Sequence, residues 1–391
     1  MAITLARLLV GAEKTCGIRL LAGGRGTNVL VRWVHMVEDS EVPSFLRGNE
    51  LVFTTGIAHR GTGWLTEFVK SLRANGAVGA VLNIGPYITE VPAEVIRYCN
   101  DNNFPLFTIP WDKRLTDVSY DLCHRIVASE ADDGDMVHAF RALLFAPQQK
   151  ANFIAPLARR GFYETEQYTI LLLRGARSGV SVSGDELNSW KFGMYELALQ
   201  SFDHPCFLFT IENHLIFIST GAGSAAVDAY AHKVCDDFIL NRPNLSVGIG
   251  ISDTVSGFSP LPECYRQASA AADTSLMRPG RIFRYNELGI YQLLYAVNDV
   301  SVLRRYVEGV LGRIQAYDTL HHSDYDAVLA CYIRNNGSIQ KAAEEMGVHR
   351  NTVNYKIKNI RELFGLKLDN EDIMRLGTAY CCREVLGGAV R

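Results

Sequence analysis

The sequence has almost no excess charge of either sign. Lys plus Arg number 39 and Asp plus Glu 42, a formal net charge of -3. This excludes a protein basic throughout, so any surface that binds a polyanion must be local. No C-x-x-C pair occurs. The nine cysteines are an odd number, scattered over 391 residues, and Cys381 and Cys382 are merely adjacent. That argues against a disulfide framework or a zinc site and for a reduced cytoplasm. Apolar runs of about 18 residues, the length that spans a bilayer, are missing. The opening MAITLARLLVGAEKTCG has one short apolar run and an acidic residue. Neither a secretory signal nor a membrane partner is expected. Repeats and low-complexity tracts are absent too.

Several chemistries lack their motifs. VGIG (247–250) and GGRG (23–26) are glycine-rich, yet neither opens a helix with the spacing of a phosphate loop, and both read as a bulge or turn. There is no nucleophile elbow and no H-E-x-x-H. His321-His322 with Asp324 reads as a solvated helix start. The expectation is a chain with no metal, no cofactor and no catalytic residue.

What is present is ordinary globular material, 48% hydrophobic and 21% charged, long enough for two or three domains. Residues 1–130 alternate strands (48–56, 77–85, 104–110) with helices (63–76, 91–103, 115–129), the pattern of βαβ units in a mostly parallel α/β sheet. Gly76 marks a helix stop and Pro92 a first turn. ADDGD (131–135) is polar and turn-rich, which puts a boundary there. A connector with an apolar helix at 136–145 occupies 131–164. Residues 165–290 read β-α-β-β-α-β, the order of a ferredoxin-like or nucleotide-cyclase-like α+β sheet with helices on one face. Asp185 is the expected cap of its first helix. Residues 291–391 read as all helical.

Within that last region SDYDAVLACYIRNNG (323–337), SIQKAAEEMG (338–347) and VHRNTVNYKIKNIRELFG (348–365) form three successive helices. Ser338 is an N-cap, and glycines close each helix. Two helices joined by a short Gly-containing turn make a helix-turn-helix. At about 100° per residue, Val353, Ile357 and Ile360 share one stripe. Asn351, Tyr355, Lys358 and Glu362 fall opposite, with Asn354 nearby. Small Ala342 and Ala343 let the helices cross closely. Asn can bond an adenine edge, Arg a guanine edge or phosphate, and Thr and Tyr hydroxyls phosphate oxygens. Arg350, Asn351, Thr352, Asn354, Tyr355 and Lys358 are therefore the expected contacts to double-stranded DNA, with the helix beginning at His349 in the major groove.

GSIQKAAEEMGVHRNTVNYKIKNIRELFGLKLDN resembles the C-terminal helix-turn-helix of the PucR-type family of purine-catabolism regulators. The resemblance rests on HRNT followed by Tyr355, Lys356 and Ile357, then a Leu-Phe-Gly-Leu close. The region before it resembles the degenerate GGDEF-like domain that commonly precedes this module. ITLARLL, LRGNELVFTTG and FPLFTIP resemble the family's N-terminal domain. The hairpin TIENH (210–214) keeps one carboxylate and neither glycine of the active cyclase motif, which implies no cyclase activity.

The resemblance implies a ligand-responsive, sequence-specific transcription regulator of a catabolic or metabolic operon, acting as a homodimer or higher homo-oligomer. In open α/β sheets ligands sit beyond the C-terminal strand ends. Those ends carry Thr54, Thr55, Gly56, Asn83, Gly85 and Trp111, a candidate site for a small-molecule effector; the alternative is that Thr and Asn cap helices and Trp111 packs. The competing reading is a nucleotide-binding α/β enzyme with a helical assembly domain; the missing phosphate loop and metal carboxylates count against it.

Overall fold

The runs LVF (51–53) and AVL (80–82) are apolar at odd and even positions alike, and such strands must be covered on both faces. In the computed structural model both are inner strands. The structure describes residues 3–39, 45–58, 63–146, 153–177, 180–239, 245–277 and 282–388. The chain divides into two units, residues 1–163 with 189–205, and residues 164–188 with 206–391.

The first unit contains β1 (Ile3–Thr4), α1 (Leu5–Leu8), α2 (Ala12–Cys16), β2 (Arg19–Ala22), β3 (Leu30–Val31), β4 (Trp33–Met36), β5 (Glu50–Thr54), α3 (Trp64–Ala74), β6 (Gly79–Ile84), α4 (Ala93–Asp101), β7 (Leu106–Pro110), α5 (Leu115–Phe145) and α6 (Ile154–Arg159). Its main sheet has the order β2-β7-β6-β5-β4. Strands β4 to β7 are parallel and β2 runs antiparallel to β7. Alternate side chains serve two cores. Leu51, Phe53 and Val81 meet Leu5, Leu8, Val118 and Leu122 from α1 and α5. Val52, Ala80 and Leu82 meet Phe68, Val69 and Val95 from α3 and α4. GGRG is a tight turn: a β-carbon at Gly23 would lie 1.9 Å from the Phe104 carbonyl oxygen, and one at Gly26 1.8 Å from that of Asn103.

The expected turn at 131–135 is not there. Helix α5 runs unbroken for 31 residues from Leu115 to Phe145. The segment has no proline, and a lone Gly134 costs only about 1 kcal/mol in a helix. Asp133 is buried and ion-paired with Arg160, the residue that follows α6, which ties the polar stretch to a neighbour and removes its reason to turn into solvent.

The second unit starts with β8 (Gln167–Arg177) and contains β9 (Val180–Ser181), α7 (Gly184–Ser201, from Ser189 onward grouped with the first unit), β10 (Cys206–Ile211), β11 (His214–Thr220), α8 (Ser224–Val234), β12 (Leu245–Ile251), β13 (Val255–Ser256), α9 (Leu261–Met277) and β14 (Ile282–Arg284). The sheet order is β10-β11-β8-β12-β14, with β9 and β13 also on β8. The side chain of Asp185 lies outside the described residues; at the start of α7 the Ser183 hydroxyl accepts the Glu186 amide at 3.3 Å. VGIG is neither bulge nor turn. It lies inside β12, where β-carbons at Gly248 and Gly250 would come within 2.2 and 2.1 Å of the Ala272 and Ala268 carbonyl oxygens. The glycines let α9 lie directly on the strand.

The unit ends in α10 (Ile290–Tyr295), α11 (Val300–His321), α12 (Tyr325–Arg334), α13 (Ile339–Met346), α14 (Arg350–Phe364) and α15 (Asn370–Gly388). Val353, Ile357 and Ile360 of α14 are buried in one cluster with Ala342 and Ala343 of α13, Val328 and Leu329 of α12, and Leu376 and Ala379 of α15.

Two outcomes follow. Because α5 is continuous and the space beside Gly134 is open, Gly134→Ala should raise stability in urea unfolding by about 0.5–1 kcal/mol and Gly134→Pro should lower it by roughly 3 kcal/mol or more. A turn at 131–135 would give no gain with alanine. In the helical cluster, Ile357→Ala should cost about 2–5 kcal/mol, read as a lower urea midpoint.

Candidate nucleic-acid interface

Local caps set the lengths of the two helices that matter. Ser338 accepts the Lys341 amide at 3.3 Å and starts α13; Gly347, at φ 65°, ends it. His349 has extended backbone and its Nδ1 accepts the Asn351 amide at 3.2 Å, starting α14. Gly365, at φ 69°, ends that helix. Both glycines sit in the left-handed region that a β-carbon disfavours.

With Val353, Ile357 and Ile360 facing inward, the opposite side of α14 is fixed. Asn351, Asn354, Tyr355 and Lys358 fall within an arc of roughly 100° on that side, and Arg350 and Thr352 flank it. All six are exposed, Tyr355 at 65%. Among the described residues the side chains of Arg350, Asn351, Thr352, Asn354 and Tyr355 meet no hydrogen-bonding or ionic partner. Lys358 has only a 3.9 Å contact with exposed Glu362, an interaction worth little in water.

Two residues of the same amide- and cation-rich segment are engaged elsewhere. Lys356 is paired with Asp324 at 2.6 Å, and Asn359 donates to the Tyr325 hydroxyl at 3.2 Å. Both bonds anchor α14 to the start of α12.

The six residues at the sheet edge form a different picture. Thr54 Oγ1 donates to Glu38 at 3.1 Å, Thr55 Oγ1 at 2.8 Å, and the amides of Thr55 and Gly56 at 2.9 and 3.0 Å. The carboxylate of Glu38 thus gathers the donors of the β5 end. Asn83 is buried, and its Nδ2 donates to the carbonyls of Ile109 and Pro110 at 3.3 and 3.1 Å. A β-carbon at Gly85 would lie 2.6 Å from the Trp111 ring, which also makes an edge contact with Tyr87. Gly56 has φ 75°, and a β-carbon there would meet Ile88 at 2.8 Å. Glu38 escaped the sequence reading, since nothing in the local spacing links it to residues 16 to 18 positions away.

In the second unit the hairpin turn is Glu212–Asn213, with Glu212 at φ 50° and Ile211 opposite His214. Burial, helped by the charge of Arg174, lowers His214 to about 4. Among the described residues no group of three or more His, Cys, Asp or Glu is arranged to hold a metal, and no helix is long and apolar enough to cross a membrane.

Comparison with known proteins matches both ends of the chain. Residues 9–126 fit the purine catabolism regulatory protein-like family, and residues 327–380 the PucR C-terminal helix-turn-helix domain. The proline-responsive transcriptional activator PutR of Bacillus subtilis (strain 168) is 25% identical over 176 residues, 43% of this chain and 43% of that protein. The DNA-binding transcriptional activator AdeR of the same organism is 25% identical over 127 residues, 32% of this chain and 30% of that protein. The chain therefore spans less than half the length of these relatives. The crystal structure of a regulator of polyketide synthase expression from Bifidobacterium adolescentis is 18% identical, covering 63% of this chain and 96% of that one. Its TM-score of 0.31 supports no argument about fold. The chain thus carries a PucR-family domain toward its N-terminus and a PucR C-terminal helix-turn-helix domain toward its C-terminus, and the two relatives named above are transcriptional activators.

Proposed function

We propose that the protein is a cytoplasmic, ligand-responsive regulator that binds double-stranded DNA in a sequence-specific manner and performs no catalysis. One observation carries the reading. The polar stripe of α14 stands in solvent with Arg350, Asn351, Asn354 and Tyr355 unpaired among the described residues and Lys358 touching only exposed Glu362, on the back of a stripe that is fully packed. The relatives' names, a proline-responsive and a DNA-binding transcriptional activator, support a regulator that answers to a small molecule. Asn351 and Asn354 read base edges, Arg350 a guanine edge or phosphate, and Thr352, Tyr355 and Lys358 the backbone. A dimer is proposed because helix-turn-helix modules read paired half-sites about one helical turn apart.

Residues 165–290 are proposed to be a degenerate GGDEF-like domain used for contacts between copies. The 4-1-3-2 order of its β-α-β-β-α-β strands supports this, and its hairpin keeps a single carboxylate, Glu212, and neither glycine of the cyclase motif. The domain division proposed is 1–130 for sensing, 131–164 as connector and 291–391 for DNA. At the sensing sheet edge an effector would reach Thr54, Thr55 and Gly56 by displacing the Glu38 carboxylate, beside Asn83, Gly85 and Trp111.

Two substitutions should fail in different ways. Asn351→Ala should remove discrimination at one base position, about 1–3 kcal/mol, while largely sparing nonspecific binding. Lys358→Ala should weaken binding to every sequence and make the log–log salt slope shallower by about one unit. The measurement is a titration of each variant with a duplex that the full chain selects from a random library, and with a scrambled duplex, at several salt concentrations. If neither variant alters DNA affinity, α14 is not the recognition helix and the regulator reading loses its support.

A further inference from the structure

The first unit contains a cavity of about 300 Å³ that lies away from the sheet edge. Arg7 of α1, Asp132 and Met136 of α5, and Pro156, Arg159 and Arg160 at α6 line it. The placement follows from the helices. Arg125 of α5 donates to the carbonyls of Leu8 and Val10 at 3.1 and 2.9 Å, clamping the end of α1 against α5. Asp132 and Met136 follow Arg125 by 7 and 11 residues, so all three share one stripe of the helix to within roughly 20°. The stripe that holds α1 therefore also forms one wall of the cavity. The end of α6 closes the other side, held by the ion pair of the following residue, Arg160, with buried Asp133.

The charges in this cavity are unequally committed. Arg160 is neutralised by Asp133. Among the described residues the guanidinium groups of Arg7 and Arg159 have no ionic partner, and neither does the Asp132 carboxylate. Two guanidinium groups and one carboxylate, all on exposed residues, line the cavity together with buried Met136 and half-buried Pro156. A planar guanidinium fork matches a carboxylate in two-point geometry. The volume is at the small end for metabolite pockets, which begin at about 300 Å³.

We propose that this cavity binds a small monocarboxylate, its carboxylate held by Arg7 and Arg159 and its short body on Met136 and Pro156. Asp132 repels a second anionic group and so sets the class as monoanionic, an amine on the ligand being compatible with it. Binding here displaces no internal group, unlike the edge held by Glu38.

The test is isothermal titration calorimetry on the full chain, without DNA, using acetate, lactate and glycine as monocarboxylates and succinate and inorganic phosphate as dianions. At least one monocarboxylate should bind saturably, and each dianion about tenfold more weakly or not at all. Arg7→Gln and Arg159→Gln should each weaken the monocarboxylate by about tenfold or more, the usual loss for a charge-assisted hydrogen bond. Arg159→Lys should recover only part of it, and Lys14→Gln, an exposed cation outside the cavity, should leave it unchanged. Circular dichroism and melting temperature report whether each variant is folded. The proposal is overturned if no monocarboxylate binds, if the dianions bind more tightly, or if folded Arg7 and Arg159 variants bind as the parent does. Since no DNA is present, these outcomes are separate from success or failure of the regulator reading.

Discussion

Burial of three side chains, Val353, Ile357 and Ile360, decides how the C-terminal module presents itself. An α-helix has one rotational freedom about its axis when it packs, and an apolar stripe removes it. Once these residues lie against α12 and α13, the outward direction of every other residue of α14 is set. Lys356 to Asp324 and Asn359 to Tyr325 add polar restraints at the margin of the same contact. The exposed amides and cations are therefore displayed by a rigid element and not by a loop. This is the condition under which a side chain can distinguish one base from another instead of merely attracting phosphate.

The N-terminal unit manages polar groups in the opposite way. Where β5 ends, backbone amides and hydroxyls emerge from a strand buried on both faces, and leaving them without partners would be costly. Glu38 supplies one carboxylate to several of them. The arrangement stabilises the strand end, and it makes a polar cluster that looks available in one dimension already satisfied in three.

What could be read from the sequence was whatever is decided within a turn or two. Ser338, Gly347 and Gly365 bound their helices through neighbours a few residues away, and the boundaries of α12 to α14 were legible for that reason. The parallel strands were legible because both faces of β5 and β6 are apolar. The features that escaped depend on partners far along the chain. Continuity of α5 rests on Asp133 meeting Arg160, 27 residues on, and the role of the β12 glycines rests on the approach of α9. The ion pair that takes Lys356 out of the solvent-facing set reaches 32 residues back. Contacts of that length leave no periodic trace.

The contact between Gly85 and Trp111 bears on how this edge can change over evolutionary time. A side chain at 85 would occupy the space in which the indole lies. A larger residue at position 85 therefore requires the indole at 111 to shift or to become smaller, whereas loss of the indole alone opens a gap beside a glycine with nothing to fill it. The two sites lie 26 residues apart in the chain yet share one volume, so the space open to one depends on the residue at the other.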